Sequence, residues 1–91
     1  MVAKSTTIDT QRVRVTEWVF EIGDQTGQLM DEYDYIVVPM LYGELKIING
    51  DNSIVVSKLF NGGSYLRNKG VNHNVINNND FEYSFVEIEI K

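Results

Sequence analysis

"GGSYLRNKGVNHNVIN", residues 62–77, decides how this chain is read. Two short runs, SYLR and HNVIN, carry the aromatic and β-branched residues that suit a pleated surface. Between them NKGV is a turn sequence centred on Gly70, and the paired glycines of FNGGS make another tight turn just before. The pattern is strand, turn, strand, with no room for a capped helix. The chain's single histidine, His73, shares one face of its strand with Val75 and Asn77, because strand side chains alternate. The asparagines of NHNVINNND read as turn formers, since asparagine tolerates left-handed backbone angles.

The flanking sequence repeats this grammar. Upstream, ELKIINGDNSIVVSKL places two strand-like runs around Asn49-Gly50, a dipeptide suited to hairpin turns. DYIVVPMLYG is apolar on both faces and predicts a buried strand, with Pro39 marking an edge, a bulge or a strand end. In RVRVTEWVFEI, Arg14, Thr16, Trp18 and Phe20 alternate with Val13, Val15, Glu17 and Val19. GDQTGQ reads as a turn-rich break. Downstream, FEYSFVEIEIK sets Val86, Ile88 and Ile90 against Glu87, Glu89 and Lys91 and predicts a last strand whose apolar face needs a cover. No segment sustains a helical period with caps at both ends. Short strands at close spacing predict an all-β, antiparallel barrel or sandwich over residues 12–91. Residues 1–11 are polar and patternless and predict a loose or strand-exchanging arm.

Composition narrows the function classes. Ninety-one residues make one small domain. There is no cysteine, so disulfides and thiolate metal sites are excluded. Thirteen acidic against eight basic residues leave a net charge of −5 and no basic run, which argues against a nucleic-acid partner. The longest apolar run, Tyr35 to Tyr42, is too short to cross a bilayer as a helix, and the N-terminus lacks the apolar segment of a secretory signal. The expected location is the cytoplasm. A small core without disulfides, together with the apolar last strand, predicts a homodimer.

Two stretches resemble the motifs of the cupin family of small β-barrels. The second cupin motif lies on residues 62–77: Gly62 opens it, Asn68 stands at the proline position, and Gly70, His73 and Asn77 follow at the family's spacing. The first motif is present in outline, with a leading glycine at or near Gly27 and a closing one at Gly43. Leu29 and Asp31 occupy its two histidine positions, and its glutamate position falls at Tyr35 or Ile36. The resemblance covers roughly residues 12–91 and is similar to single-domain cupins of the RmlC-like type. It implies a jelly-roll barrel, often dimeric, with its site inside. It does not imply an activity, because one fold hosts many chemistries.

A cupin metal site uses three histidines and a carboxylate; this chain offers His73 and Asp31, with Glu17 or Asp34 as further carboxylates. Transition-metal sites need three or four converging ligands, so no metal or other cofactor is expected. The candidate pocket comprises Leu29, Asp31, Tyr35, Tyr65, Arg67, His73 and Asn77. His73 is either a buried, hydrogen-bonded imidazole or a ligand-contacting, proton-moving group, and an Asp31–His73 contact is expected to raise its pKa. Arg67 either attracts a carboxylate or phosphate or pairs with an acidic neighbour at the rim. Trp18, Phe20, Phe81, Tyr83 and Phe85 are assigned to the core, with Met30 and Met40 as gap fillers. Three functions compete: a metal-free barrel that binds a small polar or anionic molecule; a small enzyme, of isomerase or epimerase type or weakly dependent on a divalent transition metal, using His73 as acid/base or ligand; and a dimeric structural module.

Overall fold

Alternation governs the backbone from one end of the chain to the other. The computed structural model describes all of residues 1–91 and contains nine strands and no helix. They are β1 (Lys4–Asp9), β2 (Val13–Phe20), β3 (Gln25–Met30), β4 (Asp34–Pro39), β5 (Gly43–Asn49), β6 (Ile54–Leu59), β7 (Tyr65–Arg67), β8 (Asn72–Asn77) and β9 (Tyr83–Ile90). All named strand pairs are antiparallel. One sheet has the order β1-β2-β9-β4-β7 and the other β3-β8-β5-β6. Their concave faces enclose the core as a jelly roll, the all-β architecture expected from the sequence.

Register shows which residues face inward. Cross-strand partners share a face. Phe20 pairs with Tyr83, Trp18 with Phe85, Thr16 with Glu87 and Arg14 with Glu89. Phe20 and Tyr83 are fully buried, and the Phe20 and Phe85 rings stack at 5.5 Å. Thus the inner face of β9 is Tyr83, Phe85, Glu87 and Glu89. The aliphatic residues Val86, Ile88 and Ile90 point outward, so the terminal strand turns its acidic side, not its apolar side, into the barrel.

The closed end is packed tightly. Tyr83 donates its hydroxyl to the Leu41 carbonyl at 2.8 Å. A Cβ at Gly43 would lie 2.6 Å from the Tyr83 ring, so glycine is needed there to let backbone meet aromatic. Pro39 is buried at the end of β4, beyond the three residues that pair with β7, where its missing N–H leaves no gap in that ladder.

Several local expectations are corrected. Residues 1–11, expected as a loose or strand-exchanging arm, hold an ordered strand. Lys4–Asp9 pairs along its length with β2 of the same chain, Ala3 is buried, and Val2 bridges to Gln25 in the opposite sheet. Polar composition hid an edge strand with all six residues exposed. The break at GDQTGQ is shorter than expected: Gly23 and Asp24 turn the chain and Gln25 already belongs to β3, which carries an irregularity between Gln25 and Gln28 around Gly27, at φ +81°. The β5–β6 hairpin is present, but its left-handed residue is Asn52 at φ 68°, not Asn49 or Gly50, because the loop is four residues long. Phe81, Met30 and Met40 are 41%, 61% and 46% exposed and fill no gaps in the core. No helix is long and apolar enough to cross a membrane.

Candidate functional site

The open end of the barrel holds a cavity of about 240 Å³. Strand register sorts its walls into levels. At the mouth, Arg67 pairs with Tyr35 on one sheet and Asn49 with His73 on the other. One side-chain step deeper lie Tyr65, Val37 and Glu87, facing Ile47 and Val75. Phe85 and Leu45 form the floor. The lining is mostly apolar, with a few polar groups converging, as small-molecule sites usually are.

His73 and Asp31 meet. Nε2 of His73 lies 3.5 Å from Oδ2 of Asp31, and both side chains are nearly covered. The contact is too long for a good hydrogen bond, and that Asp31 oxygen has no other partner. Burial raises the Asp31 pKa, partly countered by His73 and by the Tyr35 hydroxyl. Burial likewise lowers that of His73, with Asp31 opposing the shift and Arg67 adding to it. The expected contact therefore exists, but its expected consequence does not: desolvation outweighs the aspartate, and the imidazole is held toward its neutral form. Burial, then Asp31, raises the Tyr35 phenol well above its usual range. Tyr65 also rises through burial, with the Arg67 cation opposing.

Arg67 sits at the rim. Its guanidinium stacks over the Tyr65 ring at 4.4 Å and donates to the Leu66 carbonyl at 3.3 Å. No carboxylate pairs with it, so the ion-paired alternative does not describe it. It is the one cation lining the cavity.

Three proposed pocket residues do not line the cavity: Asp31 contacts His73 without lining it, and Leu29 and Asn77 lie elsewhere. Leu29 stands directly across from His73 in the β3–β8 register, yet it is 41% exposed and does not line the cavity. Asn77 shares the inward face but lies at the closed end. Its amide donates to the carbonyls of Phe20, Glu21 and Phe81, and its oxygen accepts from the backbone and side chain of Asn79. Every polar atom of that side chain is occupied, which makes it a structural clamp. The other two carboxylates considered for a metal are remote or engaged: Glu17 is exposed on the outer face, and Asp34 accepts from the Lys69 N–H at 2.8 Å.

The residues do not fit the cupin metal site. No three His, Cys, Asp or Glu side chains converge, and the position facing His73 is a leucine. The protein thus supplies too few donors for the usual three- or four-ligand set.

Glu87 was missed. It lines the cavity, and Trp18 Nε1 donates to its Oε1 at 3.4 Å. Burial, with the neighbouring Asp31 and Glu89 carboxylates, raises its pKa to about 7. The sequence did hold a signal. Tyr83 and Phe85, both assigned to the core, have the same parity as Glu87 and Glu89, so placing the aromatics inside also places the acids inside.

Comparison with known proteins agrees with this architecture. No family model matches the chain. The beta-alanine degradation protein BauB of Pseudomonas aeruginosa is 43% identical over 86 residues, covering 92% of this chain and 87% of that one. A cupin domain from Bordetella pertussis, known as a crystal structure, superposes with a TM-score of 0.94 at 49% identity, covering 99% of this chain and 94% of that one. A cupin superfamily protein from Desulfitobacterium hafniense, 16% identical, superposes with a TM-score of 0.73 over 97% of this chain and 76% of its own length, a likeness of fold alone. With 49% identity to a cupin domain along nearly its whole length, the chain belongs to the cupin family.

Proposed function

We propose that this cupin binds a small organic anion in its barrel, without a metal. Arg67 carries the reading: a guanidinium at the cavity mouth with no carboxylate partner. Guanidinium groups recognise carboxylates through paired donors, and this one is already positioned by stacking on Tyr65. The chain's net negative charge works against an anion at long range. Locally that repulsion is reduced, because burial pushes Asp31 and Glu87 toward their neutral forms. Neutral His73 and Asn49 offer hydrogen bonds beside the arginine, and the apolar walls suit a short carbon chain. The related BauB is named for beta-alanine degradation, and a short-chain carboxylate of that kind is the ligand class proposed here.

Calorimetric titration with pentanoate, against pentanamide as the neutral control, tests this. Pentanoate should bind saturably, one molecule per chain, with affinity reduced at least about tenfold in Arg67→Gln. Equal binding of acid and amide, or binding indifferent to Arg67, would remove the reading.

A second proposal concerns assembly. The outer face of the five-stranded sheet carries a continuous apolar row, Ile8, Val15, Ile88, Ile36 and Leu66, one residue from each strand. At about 4.8 Å between strands the row spans roughly 19 Å. We place a two-fold homodimer contact there, since a row of this kind is complementary to itself. Sedimentation equilibrium should give a dimer for the wild type and a monomer for Ile88→Glu. A wild-type monomer at high micromolar concentration would refute it.

A further inference from the structure

Glu87 has no role in holding the fold that its surroundings would explain. It projects from the middle of β9, with Thr16 opposite on one side and Val37 on the other. Its one polar contact is the long hydrogen bond from Trp18, and no cation is paired with it. A carboxyl group buried this far, with so little support, is costly as an anion. The titratable groups around the cavity do not change this. Glu89 on its own strand and Asp31 beyond the end of β3 disfavour its charge, and Arg14 on β2 favours it only weakly. Tyr35 on β4, Tyr65 on β7 and His73 on β8 complete the ring, with Arg67 at the rim. Near neutrality the group is thus poised between acid and carboxylate, and its one protein hydrogen bond uses Oε1 as an acceptor.

We propose that Glu87 selects the ligand: it donates a hydrogen bond to an acceptor at the buried end of a short carboxylate whose outer end is held at Arg67. The inference rests on the anion-binding reading above and extends it from one end of the ligand to both. The geometry suits a two-ended ligand. Arg67 and Glu87 lie on strands separated by β4, about 10 Å apart across the sheet, and Glu87 is two residues, about 7 Å, deeper along it. Both side chains reach into the same cavity, and the wall between them is Val37 and Tyr65. A chain of four or so carbons, anionic outside and carrying a carbonyl inside, satisfies both groups. A plain alkyl chain leaves the Glu87 hydroxyl unmatched in an apolar wall, which costs binding.

The test compares 4-oxopentanoate with pentanoate, which lacks the C4 carbonyl, on wild type, Glu87→Leu and Glu87→Gln, at pH 6 and pH 8.5. The wild type should prefer the oxo acid by about tenfold at pH 6, the effect expected of one buried hydrogen bond. Above the folded pKa of Glu87, about 7, the donor is lost and its oxygen faces the ligand's carbonyl oxygen, so the preference should shrink by pH 8.5. Glu87→Leu should bind both acids alike at both pH values. Glu87→Gln keeps a donor that does not titrate, so it should keep the preference and lose its pH dependence. A purely structural role for Glu87 would not separate those two variants. If pentanoate binds in an Arg67-dependent way and the wild type makes no distinction, the inference about Glu87 fails and the anion-binding reading stands. If neither acid binds, both fail together. Preference retained in Glu87→Leu also overturns the inference.

Discussion

The two ends of this barrel are built from the same strands and treat polar groups in opposite ways. At the closed end Asn77 has every polar atom matched, Tyr83 has its hydroxyl matched, and aromatic rings fill the space between. At the open end Asp31 has an orphaned oxygen, Glu87 has one long hydrogen bond, and Arg67 has no counter-ion. A folded chain normally satisfies its buried polar groups. The closed end obeys that rule and fixes the fold; the open end departs from it, and a ligand is the natural completion.

This contrast orders the expected effects of mutation. The largest should come from the closed end. Asn77→Ala strips partners from three carbonyls and from Asn79 at once, and should cost about 3 kcal/mol or more in urea denaturation. A loss as small as that of an ordinary surface substitution would mean that Asn77 is not the clamp described here. Gly43→Ala should cost about 1–3 kcal/mol through its clash with the Tyr83 ring.

At the open end the sign should reverse. Glu87 has a folded pKa of about 7, raised above its usual value, so it contributes most favourably at low pH and that contribution is lost as pH rises toward and through 7. Glu87→Gln removes the titration. It should therefore stabilise the protein by about 1–3 kcal/mol at pH 8 and make little difference at pH 4, where both side chains are neutral. Melting curves at the two pH values check this, and a variant less stable at pH 8 would contradict it. The smallest effect should be that of His73→Ala, about 1 kcal/mol, because its contact with Asp31 is long and poorly bonded. Its sign with pH is opposite to that of Glu87. The folded imidazole pKa is lowered, so its contribution is present above about 6.5 and is lost as pH falls through the folded value.

Much of the fold was legible because strands advertise themselves by alternation and turns by glycine and asparagine. In the stretch read as the second motif, both Gly62 and Gly70 take the positive φ that favours glycine. Of the candidate residues, Tyr35, Tyr65, Arg67 and His73 line the cavity and Asp31 contacts His73. Glu87 was overlooked although its parity was readable: the aromatics two and four residues before it, assigned to the core, carry the acids of FVEIEI inside and leave the aliphatic face outward. Asn77 was misplaced for a different reason: period two gives the face of a strand but not the depth along it, and depth separates a clamp from a pocket wall. The first strand was invisible because an exposed edge needs no apolar pattern, only a partner ladder.

We propose that an organic anion at Arg67, and not a metal, completes the open end. The most direct measurement is metal analysis of the purified protein, followed by pentanoate titration of the same sample after exhaustive chelation. Transition metal should be sub-stoichiometric and the affinity unchanged by the chelator. Near-equimolar metal, with binding lost on chelation and restored when the metal is returned, would contradict it.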